Sequence, residues 1–170
     1  MSHLSSRVKR IAPAFYGRDT ARAMSRENVE IVRRAFEAFN RTYAAGTTDL
    51  SAFLDFIDPD VEWVPIMAIL EGTTYHGHEG MRQWIDDVKR DWVAFEPRPE
   101  QFRDLGDDRV LVLGAWRAQG RGGDVLLDIP QAAWLIQIRN GKVVRLQTFT
   151  ERKKALEAVG LSEQDAHADS

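Results

Sequence analysis

Residues 110–150 hold three β-patterned runs divided by two glycine-bearing breaks, and this succession restricts the fold more than any other part of the chain. The runs 110–119, 125–138 and 143–150 are rich in aliphatic, β-branched and aromatic residues, with Gly120-Arg121-Gly122-Gly123 after the first and Asn140-Gly141 after the second. Asn-Gly marks a type I′ turn, because both central residues must tolerate positive φ, so the last two runs are predicted to form a hairpin. The whole reads as an antiparallel meander. Residues 100–105 are predicted to add a strand in front of it, joined by the turn Gly106-Asp107-Asp108.

Upstream the period changes from two to between three and four. Val29, Val32, Phe36, Phe39 and Tyr43 form the stripe of an amphipathic helix, for which Ser25 is the expected N-cap. Glu30 with Arg34 and Glu37 with Arg41 are helix-stabilising pairs on its wet side. Asp49 opens a short second helix with the face Leu50, Phe53, Leu54 and Ile57, which Asp58-Pro59-Asp60 is expected to stop. A strand over 61–67 and a loop over 68–77 follow. A third helix then carries the stripe Met81, Trp84, Ile85, Val88 and Trp92, ended by Pro97 and Pro99. A closing helix is predicted over 152–159, with Gly160 at its C′ position. Helices first and antiparallel strands later give an α+β fold with a curved sheet wrapped on helices.

Composition removes several function classes. Without cysteine there is no disulfide, no thiol nucleophile and no thiolate metal ligand. A net charge of −3 supplies no basic field for nucleic acid. The apolar run 64–70 is far too short to cross a bilayer, so a cytoplasmic protein is the default expectation. Residues 1–23 differ from the rest, setting Arg7, Lys9, Arg10, Arg18 and Arg22 against Asp19 alone, with no apolar signal-peptide core. They are expected to form a disordered basic extension to a single domain over 24–161, followed by a tail over 162–170.

The runs SRENVEIVRRAFEAFN, FIDPDVEW, YHGHEGMRQW, DDRVLVLGAWRAQGRG and NGKVVRLQTFTERKKALEAVGL, in that order, resemble the SnoaL-like branch of the nuclear transport factor 2-like superfamily. The resemblance implies a cone, a strongly bent antiparallel sheet around helices with a hydrophobic pocket inside. It also implies an activity among isomerases, polyketide cyclases and epoxide hydrolases, or none. Where the isomerases place a general-base aspartate this chain has Trp63, and their oxyanion-hole tyrosine falls at Ala35. Their second aspartate falls near Trp134, and the acid of the cyclases and hydrolases at Thr148. Proton abstraction beside a carbonyl needs a base and an oxyanion partner, and neither set is present.

Strand parity then frames the site, because alternate side chains share a face. With Trp116 inward, as the resemblance implies, Val112, Gly114 and Ala118 follow it. Asp128, Ala132, Trp134 and Ile136 share one face of the next strand unless Pro130 bulges it, and Val144, Leu146, Thr148 and Thr150 face inward on the last. The expected pocket lining is Trp63, Trp84, Trp116, Trp134, Leu146 and Thr148. The expected acid–base group, if the protein is an enzyme, is Asp128, assisted from the loop over 71–79 by Glu71, Tyr75 or His76. The alternative is that Asp128 lies in solvent and the chain only binds. His76-x-His78 with a nearby acid has metal-ligand chemistry, but a two-residue spacing is weak, and neither metal nor cofactor is expected. The expected ligand is a small hydrophobic molecule.

Both faces of the long strands look apolar. The outward set is Leu111, Leu113 and Ala115, then Val125, Leu127, Ile129, Ala133 and Leu135. An uncovered apolar sheet face marks an interface, which predicts a homodimer through it unless another segment of the same chain covers the face.

Overall fold

The computed structural model describes residues 14–168. Helix α1 (Ala14–Ala44) carries the predicted stripe: Val32, Phe36 and Phe39 are buried. On its exposed side Arg34 Nε donates to Glu30 at 2.9 Å. The helix begins well before Ser25, which is therefore no cap. Its Oγ instead donates to Asp104 at 2.6 Å. The rest of the basic extension, residues 1–13, lies outside the described residues.

Helix α2 (Ser51–Leu54) is a single turn, with the Asp49 carboxylate accepting the Ser51 N–H at 2.9 Å. Strand β1 (Ile57–Val64) starts earlier than predicted and includes Asp58-Pro59-Asp60; the helical turn has already ended at Leu54. In place of the strand end and loop expected over 65–77 stand a short helix α3 (Ile66–Glu71), closed by Gly72 at φ 72°, and a two-residue strand β2 (Tyr75–His76). Helix α4 (Gly77–Asp91) buries Met81, Trp84, Ile85 and Val88; the last member of its predicted stripe, Trp92, already opens strand β3 (Trp92–Asp104). That strand runs through Pro97 and Pro99. Proline removes a ladder donor, and a sheet tolerates this at an edge, which is where β3 lies.

Strands β4 (Arg109–Gly120), β5 (Leu126–Arg139) and β6 (Lys142–Phe149) form the predicted meander, with Asn140 and Gly141 at φ 52° and 73°. The six-stranded order is β2-β1-β6-β5-β4-β3, antiparallel except for the parallel pair β1–β6. The architecture is α+β: α1 and α4 pack on the inner face of a curved, unclosed sheet.

Curvature has a local cause at Gly114. The β3–β4 register shifts between Pro99 and Gln101, and the β4–β5 register shifts between Gly114 and Trp116, so irregularities flank this glycine on both sides. A Cβ there would sit 2.1 Å from the Arg98 carbonyl oxygen, so only glycine permits the approach. Side-chain donors of α1 hold the bent edge strand: Asn40 Nδ2 donates to the Pro97 carbonyl at 3.2 Å, and the Tyr43 hydroxyl to that of Trp92 at 3.0 Å.

Part of the outer face is covered by the chain itself. Helices α5 (Arg152–Ala158) and α6 (Glu163–His167) pack Ala155, Leu156 and Ala166 against Leu111, Leu113 and Ala133, all of which are buried. Helix α6 lies where a tail was expected, started by a capping box in which Ser162 Oγ and the Asp165 carboxylate satisfy each other's backbone N–H. The motive for pairing through Leu111 and Leu113 is thereby removed; Val93, Val125 and Leu126 are the large apolar residues left exposed along β3 and the approach to β5.

Candidate functional site

Aromatic side chains from six elements converge on the inner face. Phe39 of α1 stacks on Trp84 of α4 at 5.3 Å between ring centroids, and Trp84 lies 5.0 Å from Trp63 of β1. On the other side Phe36 meets Trp134 of β5 edge-on at 5.2 Å, and Phe95 of β3 meets Trp116 of β4 at 5.0 Å. Flat, rigid rings crossing at steep angles cannot fill a cone as aliphatic chains do. They leave a cavity of about 50 Å³. Trp63, Trp84, Trp116, Trp134, Leu146 and Thr148 border it. Ala35 borders it too, so all four positions at which the resemblance would place chemistry, Ala35, Trp63, Trp134 and Thr148, lie around this space.

Phe36, Phe39, Phe53 and Phe95 also border the cavity. The first three were legible only as the buried stripes of their helices, because a lining residue and a core residue share one periodicity. Phe95 gave no signal, since the prolines after it masked β3.

The titratable candidates lie elsewhere. Between Gly114 and Trp116 on β4, the partner strand β5 advances from Ala132 to Ile129, an extra residue at Pro130-Gln131. This bulge reverses the parity below it. Asp128 faces outward opposite Arg117, whose Nη2 it binds at 3.0 Å with both side chains about half exposed, and Ile129 pairs with Trp116. The expectation that Asp128 shares a face with Trp134 is corrected, the bulge being its cause. A second bulge, at Val144, turns Val143 inward in its place.

From the loop, Glu71 and His76 are exposed. Tyr75 is buried but spends its hydroxyl on Asp87 Oδ2 at 2.8 Å. Burial first, and then this hydrogen bond, push its phenol up to about 12, so it holds its proton. Burial tends to raise the Asp87 carboxyl, yet hydrogen bonds from Tyr75, Arg90 and Gln83 outweigh it and leave that group below its usual range. His78 Nε2 lies 2.7 Å from the Ile57 carbonyl oxygen, which engages that nitrogen structurally. Among the described residues no three His, Asp or Glu side chains are placed to hold a metal, and no ionisable side chain lines the cavity. The lining residues with a polar side-chain atom are the four tryptophans and Thr148. Nε1 of Trp63 and of Trp84 is buried without a hydrogen-bond partner among the described residues.

The family model described as "SnoaL-like domain" matches residues 32–146. No protein with a curated description matches the chain. Among solved structures, an NTF2-like protein of unknown function from Burkholderia pseudomallei is 25% identical, with a TM-score of 0.61 over 78% of this chain and 97% of that one. TerC, co-crystallised with polyporic acid, is 23% identical with a TM-score of 0.61, covering 79% and 98%. A ketosteroid isomerase-like protein from Catenulispora acidiphila in complex with trimethylamine is 17% identical with a TM-score of 0.57, covering 75% and 92%. Among the described residues no helix is long and apolar enough to cross a membrane.

Proposed function

Because the chain belongs to the SnoaL-like family, we propose that its inner cavity takes up a small, predominantly apolar ring compound and binds it without acid–base chemistry. The observation that carries this reading is the lining itself, aromatic and aliphatic throughout, with no ionisable side chain among the described residues. General acid–base catalysis needs a titratable group within hydrogen-bond reach of the reacting atom. Asp128, Glu71 and His76 are exposed elsewhere, and Tyr75 is committed to Asp87. Two fold relatives hold small organic molecules, polyporic acid and trimethylamine, which fits uptake as a use of this architecture.

Size sets a condition on this function. A cavity that holds benzene measures about 150 Å³, and this one about 50 Å³. Uptake therefore requires the cavity to widen. Pro65 and Ile66, at the start of the six-residue helix α3, form part of its wall, and a shift of this short helix would widen it. A homodimer through the outer sheet face would have to use the strip around Val93, Val125 and Leu126 that α5 and α6 leave bare. Titration with isopropylbenzene, followed by intrinsic fluorescence, tests the binding reading. Saturable quenching that Trp116→Ala weakens supports it; no saturable response up to the solubility limit refutes it.

A further inference from the structure

Residues 17–24, in the first third of α1, are all exposed, in a helix that runs about 16 Å from Ala14 to Ser25, the residue bonded to Asp104. Gly17, Ala21 and Met24 continue, at spacings of four and three, the face on which Asn28, Val32 and Phe36 are buried farther along. Arg18 and Arg22 each follow this face by one residue and so border it. Neither has an ion-pair partner among the described residues. Like charges four residues apart disfavour a helix, and most helices owe their stability to packing. The segment therefore calls for a surface from outside, apolar at its centre and acidic beside it.

The chain carries such a surface at the end from which this helix leaves. A groove of about 760 Å³ between the end of β3 and α6 is lined by Phe102, Leu105 and Leu161 and by Asp104 and Asp165. None of its lining residues is buried, which makes it an open trough rather than a closed ligand pocket. Among the described residues both carboxylates accept from neutral donors only, Asp104 from Ser25 and the Gly106 N–H, Asp165 from Ser162. Arg103, the cation of the lining, donates to the Asp165 carbonyl oxygen at 2.7 Å. Phe102 already takes one guanidinium, that of Arg33, at 4.4 Å from its ring.

We propose that two copies of this chain exchange these helices, residues 17–24 of each lying along the groove of the other with Arg18 and Arg22 beside Asp104 and Asp165. The groove includes Asp104, where α1 leaves the sheet, so a twofold contact at this end places both helices reciprocally. Each copy supplies the cations that the other's groove lacks, and the apolar lining covers Met24, which is 50% exposed in the single chain.

A charge swap tests the exchange, read by light scattering on the full chain at micromolar concentration. The parent should show twice the mass of one chain, falling as salt screens the contact. Arg18→Glu with Arg22→Glu makes the helix acidic, and Asp104→Lys with Asp165→Lys makes the groove basic. Each double variant alone sets like charges together and should associate at least about a hundredfold more weakly. An equimolar mixture of the two should recover the doubled mass, because both of its contacts then join opposite charges. Circular dichroism checks that each variant folds. The helix variant changes exposed residues only, so it decides alone if the groove variant does not fold. A parent with the mass of one chain overturns the exchange and leaves the groove to residues 1–13 of the same chain or to no segment at all. Helix variants that stay paired place the contact on another face and overturn it too, as does a mixture of folded variants that stays unpaired.

Discussion

On the inner face of the sheet large rings, Trp63, Trp84, Trp116 and Trp134 with Phe36 and Phe39, are buried among aliphatic side chains. On the outer face the buried side chains are Leu111, Leu113, Ala133, Ala155, Leu156 and Ala166. Alanines let α5 and α6 approach closely, and the contact fills completely: Leu111, Leu113, Ala133 and Ala155 retain no exposure. Rings meeting edge to face leave about 50 Å³ and two unpaired donors. Burial alone does not separate these regions; the fit of the buried shapes does.

The strongest challenge to this contrast is Leu113→Glu. On a filled face it buries an unpaired carboxylate, which should cost about 4 kcal/mol or more and unfold the chain. A folded variant with a lowered association state would instead put Leu113 at an interface between copies. Gly114→Ala should come next, at about 2–3 kcal/mol, because the new methyl meets the Arg98 carbonyl where the sheet bends. Thermal and urea denaturation measure both.

A matched pair sharpens the comparison. Ala133→Val on the filled outer face should cost about 1–3 kcal/mol, although valine suits a strand. Ala35→Val places the same two carbons beside the cavity and should change stability by less than about 1 kcal/mol, although valine is a poorer helix former. Propensity predicts the opposite order, so packing alone decides the outcome. Equal costs would mean that both faces are equally full.

The smallest effects concern the polar residues outside the cavity. Asp128→Asn removes a half-exposed pair with Arg117 and should cost less than about 1 kcal/mol. Ligand affinity should stay unchanged, and a loss would return Asp128 to the site. Asp87→Asn should let Tyr75 titrate below its present value of about 12, read from tyrosinate absorbance. The linkage has two signs. Tyr75, raised, contributes stability that is lost as pH rises through about 12; Asp87, lowered, contributes stability present above its unfolded pKa and lost as pH falls through the folded one. The variant should therefore lose part of the acid-side slope. A Tyr75 titration that does not move would show that the 2.8 Å bond does not set it.

Sequence periodicity was enough for the meander and the α1 stripe, because each depends on spacing within one element; the inward set around Trp116 was implied by the resemblance, and Trp92 of the predicted α4 stripe opens β3 instead. It failed wherever a neighbouring element decides. The start of α1 upstream of Ser25 and the single turn of α2 before β1 are local competitions that spacing does not resolve. Strand β3 was cut short at its prolines because edge position is a property of the sheet, invisible in the strand. The bulge at Pro130-Gln131 moved Asp128 by one residue and so to the opposite face. The cover over Leu111 and Leu113 comes from residues 152–167, whose last helix is too short to show a periodicity.

The central claim is that the inner face holds a cavity that receives a ring compound. Isopropylbenzene affinity in the parent chain and in Ala35→Val, whose stability should be close to the parent's, tests it most directly. Saturable binding that falls at least about tenfold when two carbons occupy the space is the predicted result, because the filled volume is no longer available to the ligand. Undiminished binding in Ala35→Val, or none in the parent, would contradict it.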